Sequence, residues 1–152
     1  NTLLQLSRNL YFYNKVKLKD VFETRIYLMY IHFAAMLIIY KTRKKKFPQD
    51  LYDNFFQSIE NNLRELGFGD VAVNKKMKDL NKVFYDILLK INDWKTDFIV
   101  SKKLILKYFP EFSDSNNNKY ELLAEYFVNF YNFCFELNPE TMIKDAINFK
   151  EK

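Results

Sequence analysis

An all-α fold, an irregular single-domain bundle of six or seven helices, is what this sequence predicts. Three observations carry that prediction. Apolar residues recur at helical spacing nearly throughout. The 152 residues include only two glycines and three prolines, too few turn-formers for a β-sandwich or a Gly-rich nucleotide fold. Hydrophobic residues make up 49% and charged residues 28%, both in the globular range. A chain of this length buries roughly 70% of the surface its unfolded form exposes. Residues 1–152 therefore read as one domain needing no disulfide or metal staple.

The elements follow in order. Thr2 and Gln5 have the spacing of a capping box and open a first helix to about Asn14. Lys15–Lys19 is a polar connector. Asp20 and Glu23 form a second capping box for a long helix to about Lys44, with carboxylates at its start and cations at its end, as the helix dipole favours. Its apolar run from Ile26 to Tyr40 is shorter than the ~20 residues of a membrane span and reads as a buried core helix. Pro48 fits the first turn of a third helix. There Leu51, Phe55, Ile59 and Leu63 make one apolar face, widened by Tyr52, Phe56 and Leu66.

Gly67 stops that helix, and Phe68 stands where the residue after a Schellman cap folds back, here on Leu63. The linker Gly67-Phe-Gly-Asp70 holds both glycines, two residues able to take positive φ. A fourth helix starts between Asp70 and Asn74, its buried stripe being Met77, Leu80, Phe84, Ile87, Leu88, Ile91 and Trp94. A shorter helix spans about Asp97 to Phe109. Pro110 and the polar run from Ser113 to Asn118 break the chain and read as its most flexible internal loop. Tyr120, Leu123, Phe127, Phe130, Tyr131 and Cys134 mark a sixth helix. Asn138 before Pro139 caps a last one, frayed past Phe149.

Little points to enzyme chemistry. There is no Gly-rich phosphate loop, nucleophile elbow or metal-ligand cluster. One cysteine excludes an internal disulfide, and one histidine excludes two-histidine metal signatures. Cys134, on an aromatic face, reads as an inert small hydrophobe. His32, in the most apolar segment, is either a hydrogen-bonded core histidine or a haem ligand, proton switch or partner contact. The sequence calls for no cofactor. The aromatic content of 18% reads either as codon drift or as an aromatic groove for an apolar partner.

A net charge of +5 favours anionic partners. The run Lys41–Lys46 is either a solvated helix end or a dock for acidic lipid or ribosomal RNA. Lys75, Lys78 and Lys82 align on one helix face. No recognition helix or base-stacking motif accompanies them, so no specific nucleic-acid sequence is a predicted partner.

The stretch Phe55–Tyr85 resembles the ubiquinol–cytochrome c chaperone family. That family's Leu-Arg-x-x-Gly-x-Gly-Asp core matches Leu63, Arg64, Gly67, Gly69 and Asp70. Its continuation matches Val73, Lys75, Met77, Lys78, Leu80, Phe84 and Tyr85. Upstream, Phe22, Arg25, Ile26, Ile31 and His32 are similar to its long-helix segment. The likeness covers about Asp20 to Ile91; Asn74, Asp86 and Glu23-Thr24 depart from the pattern.

The resemblance implies assembly rather than catalysis: a non-enzymatic chaperone of newly made cytochrome b during biogenesis of respiratory complex III. It would work with a smaller partner chaperone, the ribosome and an anionic membrane surface. It implies a bacterial-type member in the cytoplasm, peripheral to the inner membrane, or alternatively at the matrix face of the mitochondrial inner membrane. Arg25, His32, Arg64, Gly67, Gly69, Asp70, Lys75 and Lys78 would mark the partner-binding surface. The glycines would fix the linker, Arg64 and Asp70 order it, and the lysines face client, ribosome or lipid. Met29, Met36 and Met77 would be adaptable client contacts. The rival from another class is a carrier of haem or another apolar small molecule, motivated by His32.

Overall fold

A computed structural model describes residues 2–91, 98–113 and 119–151. Among these residues the chain is all-α, with no strand. Its helices are α1 (Thr2–Ser7), α2 (Phe22–Thr42), α3 (Gln49–Glu65), α4 (Asp70–Ile91), α5 (Lys102–Tyr108), α6 (Tyr120–Phe135) and α7 (Met142–Asp145). A π-helical turn lies at Tyr11–Lys15, and 3-10 turns lie at Pro110–Ser113 and Ala146–Asn148.

α2 is the central element. It is apolar on all sides, and such a helix must be covered all round. Every residue from Leu28 to Met36 is buried. By length and composition α2 could cross a bilayer, but 67% of its most apolar window is buried inside the protein. Rings lock α3 and α4 against it: Phe33 meets Phe55 at 4.1 Å and Phe84 at 5.8 Å, and Tyr30 meets Phe84 at 5.1 Å. Tyr52 and Tyr85 share one groove with Glu60 and Met77, so α3 and α4 form an antiparallel hairpin. On the other side α6 runs parallel to α2, with Tyr126 at His32 and Phe135 at Arg43. Asp86 ties α4 to α5 through Lys107 at 2.7 Å and through the Tyr108 hydroxyl.

The first helix is shorter than the periodicity suggests. It ends at Ser7, whose hydroxyl turns back on the Leu4 carbonyl at 2.7 Å, and Asn9 then caps the Tyr11 N–H at 3.0 Å. Side chains that bond the backbone locally compete with the helical ladder. Neither early capping box forms at its expected place. Thr2 already lies inside α1, and the N-cap of α2 is Val21, because the Asp20 carboxylate goes to Arg25 at 2.8 Å. Pro48 sits at the N-cap of α3 rather than within its first turn. α5 starts at Lys102, with Ser101 capping the Leu104 N–H at 3.1 Å. Asn138 caps the turn at Glu140 instead of a helix.

Helical structure ends at Asn148, and Phe149 packs inward. That residue is buried against Tyr126 and Phe130, and Glu151 accepts from Asn129 at 3.0 Å. Trp94 and the run 114–118 lie outside the described residues. The aromatic rings mostly fill the core, where edge-to-face pairs bind beyond their buried area.

Candidate functional site

α3 ends in a Schellman cap. Gly67 lies at φ +98°, its N–H bonds the Arg64 carbonyl at 3.0 Å, and the Phe68 N–H reaches back to Leu63 at 3.3 Å. Only a residue without a β-carbon takes that φ freely. Gly69 is different. It has no left-handed φ and open space where a β-carbon would stand. It serves as the stop before α4, its carbonyl accepting the Val73 N–H at 2.9 Å. One glycine, not two, sets the backbone path.

Arg64 straddles the corner, 3.2 Å from Glu60 and 3.4 Å from Asp70. Glu60 is half-buried while Arg64 and Asp70 are exposed, so the solvent-screened pairs orient the linker more than they stabilise it. Phe68 stays half-exposed, with the Lys76 ammonium 5.6 Å above its ring. Leu66, assigned by pattern to the apolar face of α3, is 55% exposed, and Val71 on the first turn of α4 is 85% exposed. Three apolar side chains thus crowd an exposed corner. One and two turns on, Lys75 and Lys78 point outward and make no ion pair among the described residues.

The corner lies at the same end of the bundle as the start of α2. Ile26 and Met29 share a cavity of about 230 Å³ with Ile59, Asn62 and Glu65, which makes α3 antiparallel to α2. Arg25 is at that end, held by Asp20 at 2.8 Å. The fold therefore gathers Arg64, Gly67, Gly69 and Asp70 at one corner, with Lys75 and Lys78 leading away along α4.

His32 is not on this surface. It is wholly buried, and rings of Phe12, Tyr126, Phe127 and Phe130 meet it edge-on. Its Nδ1–H donates to the Leu28 carbonyl at 2.6 Å, so Nε2 accepts the Tyr126 hydroxyl at 2.8 Å. Burial lowers its pKa to about 4, against a smaller upward pull from the Leu28 bond. The imidazole is neutral at pH 7, and both nitrogens are committed: Nδ1 within α2 itself, and Nε2 to Tyr126 of α6, where it braces the two helices. A ligand would have to displace one of them.

Met29, Met36 and Met77 are also buried. Cys134 is buried, and desolvation raises its thiol to about 12. Among the described residues no group of three acidic, His or Cys side chains could hold a metal. The corner presents apolar and cationic side chains to solvent.

The exposed apolar residues were the part sequence reasoning missed. Leu66 follows Leu63 by only three residues, so spacing alone placed it on the buried stripe. Tyr126, 94 residues from His32, left no signal at all.

No curated protein and no solved structure gives a significant match to the chain. A family model described as ubiquinol-cytochrome C chaperone matches residues 14–95, which takes in α2, α3, the glycine corner and α4. That match spans more than half of the 152 residues, and the chain belongs to the ubiquinol-cytochrome C chaperone family.

Proposed function

We propose that this protein is a non-enzymatic assembly chaperone that holds newly made cytochrome b during biogenesis of complex III, at the membrane periphery. The observation that carries the reading is the α3–α4 corner. Leu66, Phe68 and Val71 stand exposed on a backbone fixed by Gly67, beside Lys75 and Lys78, which make no ion pair among the described residues, inside the family-matched segment. A membrane-protein client offers apolar helices with polar ends, and an apolar patch flanked by cations is complementary to both. In this reading Arg64 and Asp70 orient the linker, and Arg25 extends the same end of the bundle. His32 contributes by bracing the core.

The test is a photo-crosslinking residue at Val71, in cells making the respiratory complex. An adduct with cytochrome b is expected, and it weakens in a Lys75→Glu/Lys78→Glu protein. A folded, expressed protein that gives no cytochrome b adduct from this position would overturn the assignment.

A further inference from the structure

A cleft of about 720 Å³ opens at a different part of the molecule, between α1, the C-terminal half of α2, the loop into α3 and the Pro139–Lys144 segment. Leu3, Phe33, Tyr40, Leu51, Phe55 and Ile143 give it an apolar lining. Lys45, Lys46 and Lys144 stand at it against one carboxylate, Glu140. All three lysines are exposed, and none makes an ion pair among the described residues.

The backbone places two of these lysines. α2 ends in a Schellman cap whose left-handed position holds Lys44, at φ +55°, where glycine is usual. The Lys45 N–H then bonds the Tyr40 carbonyl at 2.9 Å, which turns Lys45 and Lys46 back toward the cleft. Arg43, by contrast, is drawn away. Its guanidinium donates to the Phe135 carbonyl and lies 4.7 Å over the Phe135 ring.

We propose that this cleft binds a single acidic phospholipid, with an acyl chain on the apolar lining and the phosphate among Lys45, Lys46 and Lys144. The volume lies within the roughly 300–1,000 Å³ of clefts that hold small ligands. A client helix fits poorly, because a cylinder about 10 Å across fills such a volume in under about two turns. A narrow hydrocarbon tail with an anionic head matches both the lining and the cations. The proposal does not rest on the client reading, since no corner residue takes part.

The test is flotation of the full chain at physiological salt with vesicles of phosphatidylglycerol and phosphatidylcholine, and with phosphatidylcholine alone. Binding to the acidic vesicles is expected, at least ten-fold weaker on the neutral ones. Each lysine removed should weaken it about five-fold, so Lys45→Gln/Lys46→Gln loses about 25-fold. Leu51→Trp, at an exposed position where the larger ring fills the cleft, should lose at least ten-fold. Ile143→Trp fills it from the opposite wall if the first variant lacks native helix content by circular dichroism.

Acidic-vesicle binding that survives both Trp variants would mean headgroup attraction alone and would overturn the cleft. Equal binding to neutral vesicles, no binding to either, or displacement by millimolar inorganic phosphate would overturn it as well. Loss of cytochrome b crosslinking from Val71 in Leu51→Trp, with vesicle binding intact, would give the cleft to the client instead.

Discussion

Gly67→Ala and Gly69→Ala form a matched pair two residues apart, and the structure separates them. Neither new β-carbon meets any atom within 4 Å, so packing plays no part in either change. The difference lies in the backbone. At φ +98° an alanine at position 67 incurs about 1–2 kcal/mol of left-handed strain. Reduced freedom of the unfolded chain offsets about 0.4–1 kcal/mol of that. The net expectation is a loss of about 1 kcal/mol. At position 69 the same unfolded-state gain is set against a slightly poorer helix start, about 0.5 kcal/mol, and the two nearly cancel. Urea unfolding followed by circular dichroism reads this directly. With an m-value near ~2 kcal/mol/M, Gly67→Ala should lower the midpoint by about 0.5 M and Gly69→Ala should leave it in place. Equal losses for the two variants would refute the assignment of the corner's geometry to Gly67 alone.

Four further outcomes follow from the same geometry. Lys44→Gly relieves a left-handed lysine and should stabilise by about 0.5–1 kcal/mol in urea, at the cost of a less directed loop. Tyr30→Phe removes a buried hydroxyl that has no hydrogen-bond partner among the described residues, and should stabilise by about 1 kcal/mol in the same assay. His32 binds its proton less readily folded than unfolded, so stability is full above pH 6.5. It should fall by on the order of 3 kcal/mol as pH drops from 6.5 to about 4, a slope that His32→Gln abolishes in pH-dependent denaturation. Cys134 should ignore an aromatic disulfide reagent in the native protein and react fully in denaturant; fast native labelling would contradict its burial.

The long helices were legible because their signals are local. The spacing of Phe55, Ile59 and Leu63 named the buried face of α3, and Gly67 named its end. The ends of α1 and α2 were misread because short-range competition decides them. Ser7 and Asn9 end α1 where apolar spacing alone would continue it. Asp20 has the right spacing for a cap, but Arg25 takes its carboxylate. At the site, Arg64, Gly67 and Asp70 were readable as a motif. Their exposed neighbours Phe68 and Val71 were not, since exposure depends on which other helices reach that corner. The split of the basic run was equally hidden: Arg43 joins the interior only because Phe135, 92 residues away, accepts it.

α2 also sets how this protein fails. Its length and apolar composition leave it dependent on the coat that α1, α3, α4 and α6 provide. An opening that peels away that coat exposes a long apolar segment to whatever lies outside. Where such an opening is captured before it recloses, the working lifetime is set by the rate of unfolding and not by its equilibrium. The rings packed around Phe33 and His32 are a large part of that coat, so they are where substitutions should be tested for their effect on the rate of opening.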